Sequence, residues 1–394
     1  MNLSTDSLFS HSTVRLDILK QRAFNLRWAS VPEGVIPLTA ADPDFPCAPE
    51  IAEAIARFAK DRYFSYGAPE GLASFKESLS RYYQEKRDVP VEPTMILPVD
   101  SAAYGIYLIC KTFLKPGDEA IVFDPVDFLF KYSVEAHGAK AVSFAIPAGT
   151  DNVDFAALET LITPRTRMIC LCNPLNPTGK VFTKSELTAL GQMAVKHKLL
   201  ILNDEIWSDI VFQPYHYTSV ATISEEIRKH TVTVTGFSKS YGLAGLRIGA
   251  ITAYTQDHFD MLFNASLHQS TVHGANVLSQ VAASVALDAC DYWLKSFLTH
   301  LQAMRDRCVE TFNSIDGFRC IAPQGCYVAW VNIQSTGFSA EDIHKRILEQ
   351  GRVAVVPGLP QWFGAGAAGH FRVSFASSQE IIDQALSRIK TTMS

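Results

Sequence analysis

A lysine with small and hydroxyl neighbours follows a β-rich run in the middle of the chain. The run covers residues 231–237, and Ser238, Lys239 and Ser240 come directly after it. A lysine that loses its proton on burial is a nucleophile, and its amine forms imines with carbonyl compounds. An exposed loop lysine is the alternative interpretation when Lys239 is considered alone. Arg247 lies eight residues further on, and a guanidinium suits a phosphate.

An acidic residue follows another β-rich run, at residues 199–203. Asp204 comes directly after this run, and Trp207 stands three residues later. A carboxylate at the end of a buried strand is costly unless it is paired. A protonated pyridine nitrogen would be one such partner, and capping of a helix is the alternative.

Two further segments carry polar groups that suit ligand binding. Two Asn-Pro steps and a Gly in residues 173–180 predict a tight, non-helical turn around Asn176. A plain surface turn is the alternative there. Arg372 lies in the alternating strand pattern of residues 370–375. Its planar guanidinium can bind a carboxylate through two hydrogen bonds. The alternative is that Arg372 lies on a face of the strand that is exposed to solvent.

The middle of the chain alternates between strand and helix patterns. A helix is predicted at 184–198, where apolar residues recur at helical spacing. The β-rich runs are residues 119–124, 167–172, 199–203, 231–237 and 247–253. Such alternation predicts an α/β fold with a mostly parallel sheet and helices on both faces. Ligands in such folds bind at the carboxyl ends of the strands, which is where the polar segments lie.

The C-terminal third of the chain has a different pattern. A long helix is predicted first, at 291–314, and shorter elements follow it. These are strands at 326–332, 353–356 and 370–375 and a helix near 340–350. We therefore predict a smaller α+β domain over residues 289–394, joined by the N-terminal segment 1–45, beside a large domain over residues 46–288.

The composition narrows the functional class. The 394 residues are 47% hydrophobic and carry a net charge of −5, which argues against a nucleic-acid partner. No apolar run reaches the ~18 residues of a membrane span, and the start of the chain does not resemble a signal peptide. The eight cysteines include no Cys-x-x-Cys pair, so reduced thiols and a cytoplasmic location are predicted. No metal site is predicted.

The order and spacing of these polar segments resemble those of enzymes that depend on pyridoxal 5′-phosphate (PLP) and have fold type I. The resemblance is specifically to the class I/II aminotransferase superfamily. The resemblance covers nearly the whole chain. It implies a large PLP-binding domain built on a seven-stranded type of sheet, and a homodimer with shared active sites. Further matching segments are Leu-Thr-Ala-Ala-Asp-Pro-Asp-Phe at 38–45, Tyr-Gly-Ala-Pro-Glu-Gly at 66–71, Pro-Gly-Asp at 116–118 and Val-Pro-Gly at 356–358.

The resemblance also implies a role for each matching residue. Lys239 would hold PLP as an imine and later move the proton, and Asp204 would keep the pyridine nitrogen protonated. Asn176 would bond the phenolic oxygen of the ring, and Arg372 would bind the α-carboxylate of the substrate, which also lies near Asn176 and Ala41. The implied phosphate ligands are Ser238, Arg247, the start of a helix at Ser101 and Ala102, and Tyr66 from the neighbouring subunit.

Three positions depart from the family's pattern. Trp207 stands where most aminotransferases have a Tyr that bonds the ring oxygen, and where cystathionine β-lyase-type C–S lyases usually have His. Asp127 stands where an aromatic residue usually stacks on the ring, and Ala41 replaces a Gly found in some relatives. Phe128 stacks instead if the loop is shifted. A core role for Phe128, and a substrate contact or a helix cap for Asp127, are the alternatives.

The resemblance implies amino group transfer from an α-amino acid to a 2-oxo acid. The alternative is C–S β-elimination, because residues 204–212 resemble the lyases, although those enzymes often lack an arginine that matches Arg247. A specialised biosynthetic PLP enzyme and a PLP-binding regulator without turnover also stay open. No second cationic residue is assigned to a distal carboxylate, so a dicarboxylic substrate is not predicted.

Overall fold

The computed structural model of the protein describes residues 8–146 and 152–394. The strands are β1 (Ile36–Pro37), β2 (Ile96–Val99), β3 (Glu119–Asp124), β4 (Lys140–Ala145), β5 (Thr166–Cys172), β6 (Leu200–Asp204), β7 (Thr231–Gly236), β8 (Gly249–Ala253), β9 (Arg319–Cys320), β10 (Val328–Asn332), β11 (Val353–Ala354), β12 (Val356–Pro357) and β13 (His370–Ser374). The α-helices are α1 (Leu16–Arg22), α2 (Pro49–Lys60), α3 (Ala73–Tyr82), α4 (Ala102–Phe113), α5 (Leu129–Glu135), α6 (Phe155–Glu159), α7 (Lys184–His197), α8 (Glu225–Lys229), α9 (Gln256–Ser266), α10 (Val277–Ala289), α11 (Asp291–Asn313), α12 (Ala340–Glu349), α13 (Pro360–Phe363) and α14 (Gln379–Met393).

A seven-stranded sheet with the order β2-β8-β7-β6-β5-β3-β4 organises the middle of the chain. Strands β3 to β7 pair in parallel, and β8 runs antiparallel to both β2 and β7. All residues of β6 and β7 are buried, as expected for parallel strands that helices cover on both faces. The prediction of an α/β fold with a mostly parallel sheet is confirmed.

The helix α7 illustrates how the sequence defines these elements. It begins at a capping box, in which Thr183 and Glu186 exchange side-chain and backbone hydrogen bonds of 3.2 Å and 2.8 Å. Leu187 and Leu190 are fully buried. The helix ends at Lys198, whose φ of 54° is left-handed. The helix predicted at 184–198 is therefore present, one residue shorter.

The parallel strands β5, β6 and β7 bring the polar segments to one edge of the sheet. Asp204 is the last residue of β6, and it lies in register with Cys172 of β5 and Val234 of β7. Asn176 follows β5, and Lys239 follows β7. Because parallel strands end at the same edge, these side chains converge.

The C-terminal elements form a second, antiparallel sheet with the order β12-β13-β10-β9. The helices α11 and α14 pack against each other beside it. The N-terminal strand β1 pairs in parallel with β11. The assignment of the N-terminal segment to the smaller domain stays a prediction. The boundaries at 45 and 289 stay a prediction. Over the ranges that the structure describes, no helix is both long and apolar enough to cross a membrane.

A buried ion pair holds the N-terminal segment that leads into the site. Arg27 and Asp44 pair with their side chains only 3% and 2% exposed. Trp28 Nε1 donates to the same Asp44 oxygen at 2.7 Å, and Arg27 also donates to the carbonyl oxygen of Pro37 at 3.0 Å. These bonds fix the path of the chain around Ala41.

We expect Asp44→Ala to lower the free energy of unfolding by ~3–5 kcal/mol, because it leaves the buried guanidinium of Arg27 without a carboxylate. Asp17→Ala is the matched control, since Asp17 pairs with Arg15 on the surface, where both side chains are more than half exposed. It is expected to change stability little. Urea unfolding measures both variants, and equal losses would contradict this account of the pair.

Candidate active site

The amine of Lys239 lies at the centre of the converging segments. Its Nζ donates a hydrogen bond of 2.6 Å to the carbonyl oxygen of Ala41 and lies 5.2 Å from the ring centre of Trp207. Burial lowers the pKa of Lys239, and the nearby carboxylate of Asp42 opposes that effect. A lowered pKa increases the uncharged fraction of the amine, which is the nucleophilic form. The structure thus brings three predicted site residues together.

Tyr327 is a site residue that the sequence did not reveal. Its hydroxyl donates to the carbonyl oxygen of Ala41 at 3.2 Å, and its ring packs edge-on against Trp207 with 4.7 Å between centres. A single aromatic at the start of a predicted strand is usually a core residue, so its sequence carried no distinguishing signal. Tyr327 therefore packs against Trp207 and donates to the same carbonyl oxygen of Ala41 as Lys239 does.

The carboxylate of Asp204 is buried without a cationic partner. The residue is 5% exposed, and its Oδ1 accepts a hydrogen bond of 3.0 Å from the backbone N–H of Ile206. Among the described residues, no cationic side chain lies within 4 Å of it. Burial raises the pKa of Asp204 to about 7. A protonated ring nitrogen is the kind of group that would compensate such a carboxylate.

The side chain of Arg372, on β13, contacts that of Asn176, which follows β5. One terminal nitrogen of Arg372 donates to Oδ1 of Asn176 at 3.0 Å, and the other donates to the carbonyl oxygen of Thr39 at 3.3 Å. The guanidinium lies 5.0 Å from the ring centre of Phe363. Its Nε is buried without an acceptor in the described structure. Arg372 is 7% exposed, so the alternative of a solvated strand face is wrong.

The predicted phosphate ligands lie on three separate elements. Ser101 caps α4, with its Oγ accepting from the N–H of Tyr104 at 3.1 Å, and Ala102 is the first residue of that helix. The first N–H groups of a helix are ready anion donors. Ser238 is half-buried two residues beyond β7. Arg247 is exposed and donates to the carbonyl oxygen of Ala244 at 3.3 Å.

Tyr66 lies on the surface of the protein. Its side chain is 86% exposed, and its ring lies 4.9 Å from that of His273. A tyrosine this exposed is free to contact a second chain, which is the role implied by the resemblance. Its role stays a prediction.

Phe128 does not join this cluster. Its ring is 38% exposed and packs edge-on against Trp362, with 5.6 Å between centres. Asp127 lies beside the cluster instead: Oδ2 accepts from Nδ2 of Asn176 at 3.0 Å, and Oδ1 accepts from the N–H of Leu129 at 3.2 Å. The bond from Leu129 closes a turn just before α5, whose N-cap residue is Phe128 without a side-chain cap bond, so the helix-cap alternative for Asp127 is not observed. The structure gives the predicted stacking by Phe128 no support.

The described residues offer no other metal or disulfide chemistry. No group of three or more His, Cys, Asp or Glu side chains within them is arranged to hold a metal ion. All eight cysteines carry free thiols.

A family model for aminotransferases of class I and II matches residues 33–389. The chain therefore belongs to this family. The membership confirms both the resemblance inferred from the sequence and the prediction of PLP as cofactor. The buried carboxylate of Asp204 fits that group, because the protonated ring nitrogen of PLP is a cation that would compensate it.

Similar proteins within the family differ in their named reactions. The aminotransferase YugH of Bacillus subtilis (strain 168) is 32% identical over 364 residues, with 92% of each chain covered. The cystathionine β-lyase PatB of the same organism is 27% identical, over 91% of this chain and 92% of its own. The structure of an aspartate aminotransferase from Rhizobium meliloti superposes with a TM-score of 0.83 at 26% identity, over 100% of this chain and 98% of that chain.

Proposed function

We propose that this protein transfers an amino group from an α-amino acid to a 2-oxo acid. The observation that carries this proposal is the meeting of three groups at one edge of the sheet: the Lys239 amine, the buried Asp204 carboxylate and the Arg372 guanidinium. PLP, when bound, supplies an aldehyde that joins to amines and a ring that takes up the electrons of a broken Cα–H bond.

Lys239 serves as nucleophile and as proton carrier in this proposal. Its lowered pKa favours the free amine, and a free amine close to the substrate acts as general base toward the α-proton. The carbonyl oxygen of Ala41, 2.6 Å from Nζ, holds the amine on one side. Trp207 and Tyr327 pack beside it, and they exclude water from the place where the proton moves.

Asp204 holds a proton on the ring nitrogen, because burial disfavours its carboxylate and a cation beside it offsets that cost. Asn176 and Trp207 each provide N–H groups for the ring oxygen; the indole is a donor only, so it can replace a hydroxyl in donating but not in accepting. The phosphate is assigned to Ser101, Ala102, Ser238 and Arg247, with Tyr66 of the partner subunit.

Arg372 binds the α-carboxylate of the substrate. Its Nε–H is unused, and a planar guanidinium pairs with a carboxylate through two parallel hydrogen bonds. Asn176 and Ala41 line the same place. We also propose that the protein is a homodimer, supported by the exposure of Tyr66, and that it is cytoplasmic, supported by its free thiols.

C–S β-elimination is the second candidate function. The similarity to a relative named cystathionine β-lyase extends over 91% of the chain. Trp207 also differs from the tyrosine that most aminotransferases have at its position. In elimination, Lys239 would again remove the α-proton, but a thiol would then leave the β-carbon.

A screen of the PLP-loaded protein against the common amino acids, and against L-cystathionine, tests the two functions. We expect at least one amino acid to convert the cofactor's absorption to that of its amine form, with release of the matching 2-oxo acid. Aspartate and glutamate should react less well than substrates with uncharged side chains, because Asp42 and Asp127 both carry negative charge near Lys239.

Pyruvate and ammonia from L-cystathionine, without any 2-oxo acid acceptor, would favour the lyase. Absence of the amine form with every compound would contradict the proposal of amino transfer. The Arg372→Lys variant separates binding from chemistry, because an ammonium cannot make the two parallel bonds. Its KM for the best substrate should rise more than its kcat falls.

A further inference from the structure

The side-chain amide of Asn176 is held between opposite charges. Its oxygen accepts from Arg372 at 3.0 Å, and its nitrogen donates to Oδ2 of Asp127 at 3.0 Å. Asp127 is also held at its backbone, where its N–H donates to the carbonyl oxygen of Asn176 at 3.2 Å. The two residues are therefore joined by both main chain and side chain.

Only one orientation of this amide is compatible with both neighbours. Rotating it by half a turn would bring its NH2 group against the guanidinium and its oxygen against the carboxylate. Both new contacts would set like partial charges against each other. Asp127 occupies one of the two hydrogens of the NH2 group, and the second hydrogen stays available to another acceptor.

We propose that Asp127 is a positioning residue, which keeps the NH2 group of Asn176 directed at the phenolic oxygen of PLP while the amide oxygen faces Arg372. The inference rests on the proposed function. It gives a role in the site to Asp127, which stands where relatives usually have an aromatic residue. The usual aromatic residue stacks on the pyridine ring of PLP. Asp127 would instead orient Asn176, whose NH2 group donates to the phenolic oxygen of the ring. Its carboxylate also interacts with Lys239 and Asp204, so a direct effect of its charge is the competing explanation.

The pH titration of the visible absorption of the PLP-loaded protein tests the proposal. A donor at the phenolic oxygen disperses negative charge there and so favours loss of the neighbouring proton on Lys239 Nζ. Weakening that donor should raise the midpoint pH, whereas removal of a nearby negative charge should lower it. Orientation and direct charge therefore predict shifts of opposite sign.

The informative variants are Asp127→Ser, Asp127→Asn, Asn176→Ala and the double variant Asp127→Ser with Asn176→Ala. Serine retains an acceptor for the N–H of Leu129, which keeps the turn before α5. It removes the carboxylate that Asn176 contacts. Asparagine removes the charge but has a single acceptor oxygen, so it retains the hydrogen bond from Asn176 or the one from the N–H of Leu129, and not both. Thermal unfolding of each variant checks that the fold is intact.

We expect Asp127→Ser to raise the midpoint by ~0.5–1 pH unit, in the same direction as Asn176→Ala. Asp127→Asn should shift it no further than Asp127→Ser, because its one amide oxygen can still accept from Asn176. Asp127→Ser should add nothing in the Asn176→Ala background. A downward shift that persists in that background would overturn the proposal in favour of direct charge. An unchanged midpoint in Asp127→Ser would overturn it as well. Failure of the unmodified protein to show a visible band would instead contradict the proposed function.

Discussion

Lys239→Ala is expected to lower the rate of amino transfer by ~10²–10⁴-fold, the size of a general base contribution. The reason is that Lys239 provides both the amine that joins to PLP and the base beside Trp207 and the carbonyl of Ala41. Steady-state kinetics measures the loss. Borohydride reduction followed by peptide mapping measures the bond itself, and the tag on the peptide that contains residue 239 should disappear in the variant.

Lys76→Ala is the matched control for this substitution. Lys76 lies on α3, it is half-buried, and burial lowers its pKa too. It has no contact with Trp207 or Ala41 in the described structure. We expect this variant to retain the pyridoxyl tag at residue 239 and the activity of the unmodified protein. If the Lys239→Ala variant keeps full activity and carries a pyridoxyl tag on another peptide, another amine performs the chemistry.

The sequence predicted the convergence of Lys239 and Asp204 for a simple reason. Each follows a β-rich run, and parallel strands place their carboxyl ends at one edge whatever the details of their register. The helices were equally accessible, as at α7, where apolar spacing and a capping box agree. Local pattern was sufficient wherever neighbours in the chain decide the structure.

The sequence did not predict which side chain of the 126–128 segment turns inward. The N–H groups of Val126 and Phe128 donate to the carbonyl oxygens of Phe363 and Trp362 at 3.0 Å, so this loop is tied to a helix over two hundred residues away. In this loop the side chain of Asp127 contacts Asn176, whereas Phe128, whose backbone is already helical at the start of α5, packs against Trp362. No local pattern encodes such long-range pairing, which is why the stacking expected of Phe128 found no support.

The same limit applies to Tyr327 and Ala41. Their hydrogen bond joins residues nearly three hundred positions apart, and it depends on how the buried pair of Arg27 and Asp44 directs the N-terminal segment. The resemblance to a family indicated Ala41 but not the partner of its carbonyl oxygen. That contact joins two segments that are distant in the chain, so no local pattern encodes it.

Asp204→Asn is expected to lower kcat/KM of the PLP-loaded protein by ~10²–10³-fold, the size of removing an electrostatic group aimed at developing charge. An amide cannot hold a proton on the ring nitrogen, so the ring takes up electrons less readily. Glu205→Gln is the matched control, because Glu205 is equally buried but is satisfied by Asn203, whose Nδ2 donates to it at 2.7 Å. It should retain most of the activity, and an equal loss would point to a general effect of buried charge.

The same substitution should have the opposite effect on the stability of the cofactor-free protein. Burial raises the pKa of Asp204 from 3.8 to about 7, so the folded chain binds this proton more tightly than the unfolded chain does. Stability is therefore lost as the pH rises between those two values, and the loss corresponds to ~4 kcal/mol above pH 7. Asparagine removes that loss, so the variant should be the more stable protein at about pH 8 and should lose this advantage near pH 4. Urea unfolding at the two pH values measures the difference in stability. If the Asp204→Asn variant is less stable at both, the carboxylate already has a compensating partner in the folded protein. A cationic ring nitrogen is then not needed to satisfy it.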